Sequence, residues 1–278
     1  MTDRRLTPAN GRVADVSLRG QVEAAQFLTG AARHLSVPVA DLLHAPDGRR
    51  ERQLLLGEEV TLYEDRDGWA FVQAKKDNYV GYLRCAELSE PTPVTHVVSA
   101  RATHLYPEPD FKSHERTSLS YGSRVQVLAS EGRFAQTALG HIPSTHLSPL
   151  VVLADDPVSV AELFLGTPYL WGGNSAFGID CSGLVQAGCL SCGITCPGDS
   201  DLQEIGFGTS LDETDALQRG DLLFWKGHVA WVSDPDTILH ANAFHMAVAF
   251  EPLDEAIKRI ADQGDGPVTA RKRLGGTT

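Results

Sequence analysis

Cys181 follows a glycine-rich turn in the run Thr167-Pro-Tyr-Leu-Trp-Gly-Gly-Asn-Ser-Ala-Phe-Gly-Ile-Asp-Cys-Ser-Gly-Leu-Val-Gln186, at the point where a helix should begin. A thiol there meets unpaired backbone N–H groups and the positive end of the helix dipole, and both favour thiolate. That is the setting of a nucleophile. Cys85, Cys189, Cys192 and Cys196 lack it and read as reduced structural thiols, because five cysteines with four crowded together fit no disulfide framework.

A nucleophilic thiol needs a base, and the base needs an orienting partner. His228 begins one strand-like run and His240 falls near the end of the next, with Ser233-Asp234-Pro235-Asp236 as the connecting turn. In an antiparallel hairpin centred near Asp234, these two positions fall almost opposite each other. The imidazoles can then touch, one as base and one as orienter.

The elements that must hold this set follow from the pattern after Pro149. Asp155 or Asp156 caps a helix opened by Pro157, with Val160, Leu163 and Phe164 as its buried stripe and Gly166 as terminator. A second helix runs from about Cys181 to Cys192. Strands follow over Asp221–Trp225, His228–Val232 and Thr237–Ala241, and a last helix spans Leu253 to Ala261. Helices beside an antiparallel sheet make an α+β fold.

The first 150 residues read differently. Residues 1–35, with a weak amphipathic stretch from Arg19 to Leu35, read as an arm. From 36 to 90, short runs such as Val60-Thr-Leu-Tyr63, Trp69-Ala-Phe-Val72 and Tyr79-Val-Gly-Tyr-Leu83 suit a small β-barrel. A weaker echo in the same order fills 91–150, with Arg133 where the first copy has Trp69. Residues 151–278 remain for the catalytic domain.

Thirty-six acidic against 24 basic residues give a net charge of -12, which repels nucleic-acid phosphates and an anionic membrane surface. No segment has the length and apolarity of a membrane span or of a secretory signal, so the expected location is the cytoplasm. The Cys189, Cys192 and Cys196 spacing lacks the second pair that a zinc site needs, and the glycine-rich turn lacks the Gly-Lys-Ser/Thr ending of a phosphate loop. Neither a metal nor another cofactor is expected. Trp69 and Tyr82 read as barrel core.

The run Tyr169-Leu-Trp-Gly-Gly, the Asp180-Cys181-Ser182-Gly183-Leu184 box, Gly220-Asp221-Leu222, Gly227-His228-Val229-Ala230 and Leu239-His240-Ala241 resemble the NlpC family of papain-like cell-wall peptidases over roughly residues 155–260. The two preceding units resemble bacterial SH3-like domains, and this combination is similar to the γ-D-glutamyl-L-diamino-acid endopeptidases. The resemblance implies hydrolysis of the bond between γ-D-Glu and meso-diaminopimelate or L-Lys, in murein peptides with a free N-terminal L-Ala. It makes Cys181 the nucleophile, His228 the base and His240 the orienter, with Tyr169 and backbone N–H groups holding the oxyanion. It places Trp171, Asp180, Ser182, Asp199 and Ser200 around the substrate, with Gly198 where relatives carry Arg. Glu58 and Tyr79 of the first barrel take the substrate amine. Rival readings are an exported hydrolase of intact murein, an acyltransferase and a non-catalytic wall-binding protein.

Overall fold

The computed structural model describes residues 3–275; the outermost residues of the expected arm and catalytic domain, 1–2 and 276–278, lie outside them. The chain divides into two compact units at Val151/Val152. Among the described residues no helix is long and apolar enough to cross a membrane.

In the first unit, the alternating runs form a seven-stranded antiparallel sheet. Its order is Arg50–Leu55, Val39–Leu43, Val80–Arg84, Trp69–Ala74, Glu59–Arg66, Ala31–Leu35 and Leu88–Ser89. Period-2 alternation sends Val60, Ala70, Val72 and Ala74 into one core with Leu35, Leu42, Leu54 and Leu83. The opposite face carries Tyr63, Phe71 and Tyr82, apolar surface that a small barrel must cover. Val13 and Leu28 cover it.

The supposed arm is therefore part of the barrel. Ala31–Leu35 is one of its strands, and Val13–Asp15 pairs in parallel with Gln26–Leu28. The segment is fixed further by a hydrogen bond from the Tyr63 hydroxyl to Asp15 at 2.9 Å and by the Arg12–Glu64 ion pair at 2.6 Å. The Trp69 ring is buried and stacked under the Arg84 guanidinium at 3.6 Å.

The echo builds a second small β-unit. Val127–Glu131, Phe134–Thr137 and Gly140–Pro143 form a meander in the same order as the central strands of the first barrel. Val98, Leu105, Leu119, Val125 and Ile142 make its core, which Leu56 of the first barrel enters. Arg133 is exposed at the hairpin where the first copy has its tryptophan.

The second unit is helices against a sheet ordered Thr209–Ser210, Ala270–Arg273, Asp221–Trp225, His228–Asp234, Thr237–Asn242 and Ala247–Pro252. Leu223, Trp225, Ala230, Val232 and Ile238 pack with Ala256 and Ile260 of the closing helix, Leu253–Asp262. The helix Cys181–Ser191 packs against the His228 and His240 strands.

Asp156 is the cap of the first helix, its carboxylate accepting from the Val158 N–H at 3.0 Å. Leu163 departs from the expected stripe: it is exposed, because the helix closes at Glu162 and the following turn rotates it outward, while Phe164 stays buried. The strand Ala270–Arg273 carries Arg271, Lys272 and Arg273, and Arg273 bonds in parallel to both oxygens of buried Asp221 at 2.8 and 2.7 Å.

Candidate active site

Cys181 is the first residue of its helix and is buried. Asp180 is the N-cap. One carboxylate oxygen accepts from the Gly183 N–H at 2.6 Å and from the Ser182 hydroxyl at 3.0 Å; the other accepts from the Gly172 N–H at 2.9 Å. A single side chain thus caps the helix and ties the glycine-rich turn to it. Gly183 is required by close approach: a Cβ there would lie 2.4 Å from the Gly173 carbonyl oxygen.

Behind the helix, buried Gln203 donates to the Ser182 carbonyl and to the Pro197 carbonyl, each at 3.0 Å. Gln186 donates to the Cys196 carbonyl at 3.1 Å and accepts from Asn174 at 3.2 Å. These two amides brace the helix that carries the thiol.

Trp225 ends one strand, and the Lys226-Gly227 turn, with Gly227 at φ 76°, returns the chain so that His228 opens the next. The hairpin register is two residues away from the symmetric one. Trp231 pairs with Leu239 and a bulge falls between Val232 and Asp234, so His240 lies beside Ala230, diagonal to His228. The imidazoles still meet: Nε2 of His228 and Nδ1 of His240 are 2.9 Å apart.

The chain of contacts continues beyond the expected residues. Nε2 of His240 lies 3.0 Å from Oε2 of Glu251, and Glu251 accepts from Arg259 at both oxygens, at 2.8 and 2.7 Å. His240 is fully buried and Glu251 is 6% exposed. Burial acts to raise the Glu251 pKa, but the bonds from Arg259 and His240 outweigh it and hold the group down to about 2. Burial of the His228 ring, with the repulsion a protonated His240 would exert and the positive charge of Arg259, drives its pKa down to about 3, against an opposing effect of Glu251. Burial also lowers His240, with Glu251 again opposing. Both shifts favour the neutral imidazole.

Tyr169 sits on a loop stitched to the Glu251 strand by its own N–H, which donates to the Met246 carbonyl at 2.9 Å. Burial raises its phenol pKa, and negative charge on Cys181 and Asp180 raises it further, so the hydroxyl stays a donor near the thiol.

The other expected residues lie as follows. Trp171 is 70% exposed at the tip of the glycine-rich turn. Asp199 caps the helix Ser200–Gly206, and both Asp199 and Ser200 are half-buried. Glu58 and Tyr79 belong to the other unit. There Glu58 is buried and already holds a cation, with Lys76 Nζ 2.9 Å from each carboxylate oxygen and the Leu55 N–H at 3.1 Å. Tyr79 is 2% exposed in the barrel core.

His240, His245 and Glu251 place ligand atoms within 4.8 Å of one another, spacing that suits a metal ion. A metal would have to displace the Arg259 guanidinium, which occupies both Glu251 oxygens. Among the described residues the clustered thiols form no such set.

Sequence reasoning missed Glu251 and Arg259. The one local signal was the amphipathic helix Leu253–Asp262 directly after the Glu251 strand, with Arg259 one turn from its end.

A thiol at a helix N-terminus, packed on strands that carry two bonded imidazoles, defines a cysteine peptidase. The NlpC/P60 family pattern matches residues 166–260, and that of the bacterial dipeptidyl-peptidase Sh3 domain matches residues 42–88. The chain is 30% identical over 234 residues to a gamma-D-glutamyl-L-lysine dipeptidyl-peptidase of Bacillus subtilis, covering 74% of this chain and 77% of the relative. It is 28% identical over 245 residues to dipeptidyl-peptidase 6 of Lysinibacillus sphaericus, covering 78% and 90%. A crystal structure of an NlpC/P60 family protein from Bacillus cereus superposes with a TM-score of 0.74 at 23% identity, covering 88% of this chain and 99% of that one, a likeness of fold. The chain belongs to the NlpC/P60 family.

Proposed function

We propose that the chain releases the N-terminal dipeptide of murein stem peptides, hydrolysing the bond between γ-D-Glu and the diamino acid, L-Lys or meso-diaminopimelate. The observation that carries this reading is the Cys181 helix terminus and the His228–His240 pair, in a chain similar over both units to enzymes named gamma-D-glutamyl-L-lysine dipeptidyl-peptidase. Thiolate Sγ attacks the γ-carbonyl carbon of D-Glu. The oxyanion is held by backbone N–H groups at the helix start and by the Tyr169 hydroxyl. His228, having accepted the thiol proton, gives it to the departing amine and then draws a proton from water to cleave the thioester.

Release of a dipeptide requires a free N-terminus, and the stem peptide's L-Ala amine is free only after the peptide has left the glycan. We therefore place the activity in recycling of released wall peptides. Asp180, Ser182, Trp171, Asp199 and Ser200 form the substrate surface in this reading. Glu58 and Tyr79 are proposed for the amine, with the requirement that the amine compete with Lys76. The test is incubation with L-Ala-γ-D-Glu-L-Lys and its meso-diaminopimelate counterpart. L-Ala-γ-D-Glu by mass spectrometry is expected; intact tripeptides would overturn the reading.

A further inference from the structure

We propose that Glu251, clamped by Arg259, is the positioning residue that sets which nitrogens of His228 and His240 carry protons, leaving Nδ1 of His228 as the acceptor for the Cys181 proton. The inference deepens the peptidase reading and rests on it for the role of Cys181. It follows from three contacts in series: Glu251 Oε2 to His240 Nε2 at 3.0 Å, His240 Nδ1 to His228 Nε2 at 2.9 Å, and Arg259 on both Glu251 oxygens.

An ionised carboxylate only accepts hydrogen bonds. The Nε2 of His240 must therefore be the protonated nitrogen, and Nδ1 of that neutral ring bears a lone pair. A lone pair at Nδ1 requires a donor 2.9 Å away, so Nε2 of His228 is protonated and Nδ1 of His228 is bare. One anion at the far end thus fixes two tautomers. Arg259 keeps that anion ionised and in place, because a buried carboxylate without a cation would tend to take up a proton and could then donate, reversing the sequence. His240, the middle member, is 0% exposed, so its ring nitrogens depend on these partners.

The groups facing the two rings are Glu251 on the neighbouring strand, Arg259 on the closing helix and His245 in the connecting loop. Glu251 and Arg259 act on the His228 pKa in opposite directions. A merely structural pair would not give the opposed responses this predicts.

The first readout needs neither substrate nor a variant. Long-range ¹H–¹⁵N spectra of the full chain with labelled histidine should show His240 protonated at Nε2 and His228 at Nε2 only. A proton on His228 Nδ1 in the resting protein would overturn the proposal. Glu251→Gln should lower kcat on the tripeptide about 10–100-fold, as loss of an outer orienting partner does, with KM within about twofold. Glu251→Asp should recover part of the loss. The acid limb of kcat/KM should move to lower pH in Glu251→Gln and to higher pH in Arg259→Gln; shifts in the same direction, or none, would overturn it. Loss of activity on chelation, with metal in the purified protein, would assign Glu251 to an ion instead. If no tripeptide is cut yet the tautomers are as stated, the substrate reading alone fails; if tripeptide is cut by a protein with His228 protonated at Nδ1, the tautomer proposal alone fails.

Discussion

Gly183→Ala should damage catalysis far more than stability. The added Cβ would stand 2.4 Å from the Gly173 carbonyl oxygen, about 1 Å inside ordinary contact, and 3.1 Å from both Asn174 Nδ2 and Asp180 Oδ1. No flexible side-chain end can yield there. The Gly173 carbonyl accepts the Asp180 N–H at 3.1 Å, and Asp180 holds Gly172 in return, so the turn and the helix start must separate together. Overpacking of this kind costs about 1–3 kcal/mol, while alanine regains roughly 1 kcal/mol of helix propensity over glycine. A displacement of order 1 Å at the nucleophile costs about 10²-fold in rate. We expect kcat on L-Ala-γ-D-Glu-L-Lys to fall about 100-fold, iodoacetamide to modify Cys181 more slowly, and Tm to drop by only a few degrees. Wild-type kcat and alkylation rate at an unchanged Tm would refute the argument that this contact sets the thiol.

His228→Ala should remove nearly all turnover, and His240→Ala should lower kcat less while leaving KM close to wild type; steady-state kinetics of both variants check the order. Because the folded state holds His228 down to about 3 against an ordinary value near 6.5, the unfolded state binds the extra proton as pH falls through that window. Thermal stability of the catalytic unit should therefore decline progressively below about pH 6.5, and His228→Gln should flatten that decline in calorimetry. Glu58→Ala strands Lys76 in the barrel interior, where both side chains are under one-tenth exposed, and should cost about 3–5 kcal/mol in denaturant melts. Glu58→Gln with Lys76→Met should recover most of it. N-acetylation of the tripeptide should abolish cleavage; equal cleavage of both forms would remove the amine requirement.

The α+β fold and its principal site were legible because they rest on local chemistry. The Asp180-Cys181 box after a glycine-rich turn marks a helix start, and strand-like runs on either side of Ser233–Asp236 mark a hairpin. The exact register was not legible. The turn is centred between Pro235 and Asp236, and a bulge after Val232 shifts the pairing back by one residue, so the strands end two residues from the symmetric register; the histidines meet only because their rings reach diagonally. The N-terminal segment was read as an arm because its apolar residues are sparse, yet Val13 and Leu28 find their place against Phe71, a tertiary contact with no periodic signature. Glu251 and Arg259 escaped for a similar reason. Each looks like an ordinary surface charge in sequence, and only the sheet order brings one beside His240 and the helix axis brings the other onto it. Glu58 shows the converse: its position in the barrel pattern drew attention, while Lys76, the partner that occupies it, has no motif.

The most direct measurement is the fate of Cys181. Cys181→Ala, folded by circular dichroism and melting near the wild-type temperature, should release no L-Ala-γ-D-Glu from the tripeptide, and wild-type protein quenched in acid during turnover should carry the dipeptidyl mass as a thioester on the peptide containing Cys181. Dipeptide release by Cys181→Ala at an undiminished rate, or an acyl adduct on any of the other four cysteines, would contradict the account.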